Sequence, residues 1–166
     1  MKTNLVLMGA VLFALLTGCA TTRVALGPVG PNPDGTAVAA TAGGLQVFSR
    51  LAAQSDDQNQ GSTDPIWYQH TDYSIYDLQG KLVKRVGNTI GHYEEAPRLV
   101  NLPAGQYLVK AQAADFFWVQ VPVTIKSGET TRVHLDDQWT LPAYASNPEV
   151  VRMPNGKPVG WRAGSM

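Results

Sequence analysis

The chain has 166 residues, 44% of them apolar and 16% charged, with 13 basic and 13 acidic side chains in balance. That much apolar material supports one small core, and the even, scattered charge excludes the concentrated basic face that nucleic-acid binding needs. The one cysteine excludes an intramolecular disulfide, so ordinary packing has to stabilise whatever folds.

Residues 1–4 are short of apolar side chains after Met1 and carry one cation, Lys2, and residues 5–16 are apolar throughout. As a helix this run spans roughly 18 Å, short of a ~30 Å hydrocarbon core, and it has no polar face with which to sit in a folded domain. It reads as the hydrophobic stretch of an export signal, closed by small residues. Leu16-Thr17-Gly18-Cys19 resembles the lipobox of bacterial lipoproteins. The resemblance implies cleavage before Cys19, diacylglycerol on its thiol and a second acylation on the new amine, an anchor that is effectively permanent. Ala20, where an aspartate would signal inner-membrane retention, implies outer-membrane delivery in a cell that has one. Loss of the signal removes only Lys2 from the charged residues and leaves about one excess negative charge.

Four regions are expected: a signal peptide at 1–18, a lipidated N-terminus and flexible linker at 19–43, a β-sandwich at 44–137 and a tail at 138–166. The linker carries Gly27, Pro28, Gly30, Pro31, Pro33 and Gly35 ahead of a run of Ala and Thr, a composition that buries little. It reads as a tether able to lift a domain several nanometres. The alternative is an extra edge strand at Thr36-Ala37-Val38-Ala39.

From Gly44 the texture changes to period two. Residues 45–51 read as a strand with Leu45, Val47 and Leu51 on one face, 52–65 as a long polar loop, and 66–78 as an aromatic-rich strand. Gly80 closes a hairpin onto 81–86. A polar connection, 87–96, leads to a strand at 97–102 and a turn at Pro103-Ala104-Gly105, with Gly105 expected to be left-handed. Tyr107, Val109, Ala111 and Ala113 point inward on the next strand, as do Val119, Val121, Val123 and Ile125 on the one after. Pro122 places that strand locally at a sheet edge. Residues 126–129 turn the chain, and Thr131, Val133 and Leu135 complete the set. In the tail, 150–161 reads as a small hairpin around Asn155-Gly156 that either packs on the domain or swings free. The fold class is all-β: a small antiparallel sandwich of about seven strands.

Leu102-Pro103-Ala104-Gly105-Gln106-Tyr107-Leu108-Val109, followed by the stretch from Val121 to Val133 with its Ser127-Gly128-Glu129-Thr130, forms a phrase. It resembles the carboxypeptidase regulatory-like and PEGA-like modules, over roughly residues 72–135. The resemblance implies a transthyretin-like sandwich with a structural or adhesive role, and fold likeness carries no activity with it.

Chemistry-bearing residues are sparse. His70, His92 and His134 lie far apart, and His92-Tyr93-Glu94-Glu95 reads as a solvated loop, since a metal takes three or four converging ligands. His134 alternates with Val133 and Leu135 and is expected to point outward, with Asp136-Asp137 as a charged strand end. Asp56, Asp57 and Asp64 lack the density of a calcium loop. No nucleophile elbow or phosphate loop occurs, so no catalytic residue, metal or cofactor is expected. Phe116, Phe117 and Trp118 cannot all face one core, because neighbours alternate sides. They form a binding surface, or else the tail covers them with Trp139, Tyr144 or Trp161.

The sequence thus reads as a lipid-anchored module of the bacterial envelope, structural or protein-binding and not an enzyme. Its partners are the membrane, through lipid on Cys19, and an envelope protein or glycan. Two rivals are a glycan-binding module using the exposed rings and an envelope hydrolase or metal enzyme in which His92, Glu94 and His134 converge.

Overall fold

Period-two alternation of apolar and polar side chains builds the architecture. The computed structural model describes residues 24–33, 41–54, 67–88, 96–115, 118–143, 145 and 149–164. Among them the chain is all-β. The strands are β1 (Val24–Ala25), β2 (Gly43–Phe48), β3 (Leu51–Gln54), β4 (Trp67–His70), β5 (Tyr73–Tyr76) and β6 (Leu82–Val86). They continue with β7 (Leu99–Leu102), β8 (Gly105–Ala111), β9 (Val119–Ile125), β10 (Thr130–His134), β11 (Val150–Arg152) and β12 (Pro158–Trp161). A five-stranded sheet runs β1-β9-β8-β5-β6 and a three-stranded sheet runs β10-β2-β7, with β3-β4 and β11-β12 as separate hairpins.

The inner faces of the two larger sheets share one core. Ile75, Val109, Val119, Val121 and Val123 come from the first, and Leu45, Val47, Val100, Leu102 and Val133 from the second. Burial alternates residue by residue along β9, as its sequence requires. Left-handed Gly80, Gly128 and Gly156 sit at the three turns where the sequence places them.

The strand count and the pairing depart from the expectation of about seven antiparallel strands. Twelve strands are described, and two pairs are parallel: β10 on β2, with Val133 opposite Val47, and β1 on β9. The first expected strand breaks after Phe48 and the aromatic-rich one after His70. There Arg50 N donates to Gln112 O and Thr71 N to Arg50 O, and the freed lengths pair with each other as β3 and β4. Residues 51–54, expected to be mostly loop, are therefore strand. The step at 103–105 also differs. β7 pairs with β2 while β8 pairs with β5 and β9, so Pro103-Ala104 carries the chain from one sheet to the other. Gly105 is not left-handed and already lies in the ladder opposite Ile125.

Residues 24–33 are built into the sandwich rather than held off it. Val29 is fully buried; its N–H donates to Pro122 O and its carbonyl accepts from Thr124 N. Gly30 N donates to Trp161 O and Ala163 N to Pro28 O, so the same short segment also pairs with β12. The backbone of Gln120, Pro122 and Thr124 faces this segment, and Pro122 has no N–H to offer there. The ladder accordingly lapses between Leu26 and Val29, but β9 is flanked by β1 and β8, so Pro122 does not mark the sheet edge that the sequence suggests. Thr36-Ala37-Val38-Ala39, the stretch weighed as an edge strand, lies outside the described residues.

The tail packs. Val151, Met153 and Val159 join the core, and β12 lies against β10, where Gly160 admits Val29 and Arg132 O closely. Asp137 takes a left-handed backbone (φ 67°) as the chain leaves β10, and its carboxylate holds Lys157 Nζ at 2.9 Å.

Candidate binding surfaces

Trp118 stands just before β9 on the outer side of the five-stranded sheet. Strand register places Arg85, Ser74, Lys110 and Gln120 in one outward row, with Tyr76, Leu108 and Pro122 in the next. Along the first row runs an open groove of about 340 Å³ lined by Asp72, Tyr76, Arg85, Lys110 and Trp118. Lys110 Nζ sits 5.3 Å from the centre of the Trp118 ring. Asp72 at its margin is engaged, accepting from Asn88 N at 3.0 Å. Tyr73 reaches the same groove but is 2% exposed, and its hydroxyl has no hydrogen-bond partner among the described residues. Burial pushes that phenol's pKa well above its ordinary value.

A second aromatic surface lies on the outer face of the three-stranded sheet. His134 shares a face with Phe48, as their register requires, and this face is opposite the core residue Val133. It is not open to solvent as the sequence suggests. The imidazole is stacked between Phe48 (4.3 Å, 19°) and Trp139 (4.7 Å, 17°), and Trp161 meets Trp139 edge-on at 6.4 Å. Alternation tells which side of a strand a residue occupies, not what lies over it. Desolvation, with Arg132 and His70 adding repulsion, lowers the His134 pKa to about 3. Burial raises that of Asp136 nearby. Beside the stack opens a groove of about 410 Å³ with Asn32, Gln46 and Arg132 in its wall.

Asn88, which its polar sequence context gives no reason to single out, is a buried junction. Its Nδ2 donates to Val47 O (2.8 Å) and Ser49 Oγ (3.1 Å), and its Oδ1 accepts from Arg98 N (3.1 Å). Ser49 Oγ donates to Thr71 O, and His70 Nδ1 lies 2.6 Å from Ser49 O, so that nitrogen carries the proton. These bonds tie the break after β2 to the break after β4.

The other sequence-marked residues divide simply. Cys19, Asp56, Asp57, Asp64, His92, Glu94, Phe116, Phe117 and Tyr144 lie outside the described residues. Among the described residues no three His, Cys, Asp or Glu side chains group as metal ligands would, and no helix is long and apolar enough to cross a membrane. No family model, curated protein or solved structure matches the chain.

Proposed function

We propose that this protein is a bacterial envelope lipoprotein, fixed to the membrane by lipid on Cys19, that presents its sandwich as a structural or protein-binding module. The observation that carries the reading is Leu16-Thr17-Gly18-Cys19 directly after an apolar run too short to span a bilayer. The PEGA-like phrase of residues 102–133 agrees with a structural or adhesive role, and Ala20 with an outer-membrane address. For a protein partner, the groove beside the ring stack has the composition of an interface hot spot, with Arg132, Phe48, Trp139 and Trp161 in its wall. The test of the anchor is Cys19→Ser in the full chain, in cells fed a labelled fatty acid. The reading expects label and membrane sedimentation for the native chain and neither for the variant. Equal labelling of both would refute it.

A further inference from the structure

The register of the first strand limits how the domain can sit on its anchor. Val24 pairs with Val119 at the start of β9. Five Cα–Cα steps separate Cys19 from Val24, and an extended chain covers at most roughly 18 Å in that number. This bound holds for any conformation of residues 20–23. From Val119, β9 runs to Ile125, a rise of roughly 20 Å, and the turn at Ser127-Gly128 lies beyond it. The tether is shorter than the strand it leads to. With lipid on Cys19, the end of the sandwich that carries residues 126–129 could face the membrane only if residues 19–24 ran fully extended back along the whole length of β9.

The opposite end carries aromatic side chains. Trp118 adjoins Val119 there, half-buried, with the Lys110 ammonium over its ring. The β3–β4 hairpin leaves the sandwich from that end, through the Arg50–Gln112 and Thr71–Arg50 bonds, and its Tyr68 is 65% exposed. Indole and phenol rings favour the headgroup layer of a bilayer, and a lysine can lay its stem on apolar surface while its amine reaches phosphate. The far end offers exposed, polar Lys126 and Ser127, and its β5–β6 turn adds exposed Leu78 but no aromatic ring.

We infer that the end of the sandwich bearing Trp118 and Tyr68 rests in the headgroup layer of the membrane that holds the lipid. The placement depends on the anchor at Cys19. It deepens the proposed function by assigning the Trp118 surface to lipid and leaving the Arg132 groove for a protein.

The experiment uses the full, lipidated chain. A lipidated Cys19 has no free thiol, so an introduced cysteine is the only reactive one. Trp118→Cys, Tyr68→Cys and Ser127→Cys are each labelled with an environment-sensitive dye and reconstituted into phosphatidylcholine vesicles, with and without lipid spin-labelled at the headgroup. The dyes at 118 and 68 are expected to lose most of their emission to the spin label, and the dye at 127 to keep it. Tyr68→Cys carries the test if Trp118→Cys fails to fold. Equal weak quenching at all three sites, on a chain whose intact mass includes diacylglycerol, overturns the placement and leaves the anchor standing. A mass without lipid overturns both. Quenching absent at 118 while added envelope glycan shifts that dye's emission gives the surface to glycan and also overturns the placement.

Discussion

His134 makes the covered outer face testable by pH. A free imidazole takes its proton near pH 6.5, while this one waits until about 3, because it is stacked between Phe48 and Trp139 away from water. Between those values the unfolded chain binds the proton and the folded chain does not. Stability is therefore full above about pH 6.5 and is lost progressively as pH falls toward 3. At pH 5 the linkage amounts to about 2 kcal/mol. Cation–π attraction to the two ring faces opposes this, at about 0.5–1 kcal/mol each, but leaves the folded-state value below 5 and so barely changes the pH 5 figure. Asp136, whose pKa burial raises, works in the opposite sense, so the comparison has to isolate His134. Urea midpoints of the chain lacking its signal, measured at pH 7.5 and pH 5, supply the numbers for the native sequence and for His134→Phe. The native sequence should lose about 2 kcal/mol more than the variant on acidification. Equal losses, or a native chain that gains stability in acid relative to the variant, would refute the covered, neutral imidazole.

Three further outcomes follow from packing. Gly160→Ala would place a methyl 2.6 Å from Val29 Cγ1 and 2.7 Å from Arg132 O, so it should cost about 1–3 kcal/mol in thermal unfolding. An unchanged melting temperature would mean that β12 does not dock as described. Asn88→Ala leaves Val47 O, Ser49 Oγ and Arg98 N without their partner and should cost roughly 2–4 kcal/mol in urea, and a midpoint equal to the native one would deny the junction. Tyr73→Phe removes a buried hydroxyl that bonds to nothing among the described residues, so the urea midpoint should hold or rise, and a clear fall would reveal a bond to that oxygen.

What was legible in the sequence is what repeats locally. β8 and β9 announce their inner faces because both large sheets close on one core, so their inward positions from Tyr107 and Val119 onward are apolar, while β10 turns Thr131 and Val133 inward. Gly80, Gly128 and Gly156 mark turns that need positive φ. What was not legible depends on partners distant in the chain. A segment with Pro28, Pro31 and Pro33 looks like a tether, yet Val29 docks it in the core with Val24 and Leu26 packed beside it, Asn32 bonds to β10, and β12 supplies the second edge. Pro103-Ala104-Gly105 has the residues of a hairpin turn, and only the pairing of β7 with β2 makes it a crossing. His134 has a strand's outward position, and the cover over it comes from Trp139 after a turn at Asp137. Of the aromatic surface, Trp118 was legible as a half-exposed ring, while its closeness to Val24 needed the β1–β9 register.

The central claim, a lipid anchor on Cys19, is tested most directly by the mass of the N-terminal peptide of the full chain recovered from bacterial membranes. The account predicts a peptide that begins at Cys19, carrying a thioether-linked diacylglycerol and an acylated amine, with residues 1–18 gone. A membrane-recovered chain that begins at Met1, or one whose Cys19 is unmodified, would contradict it.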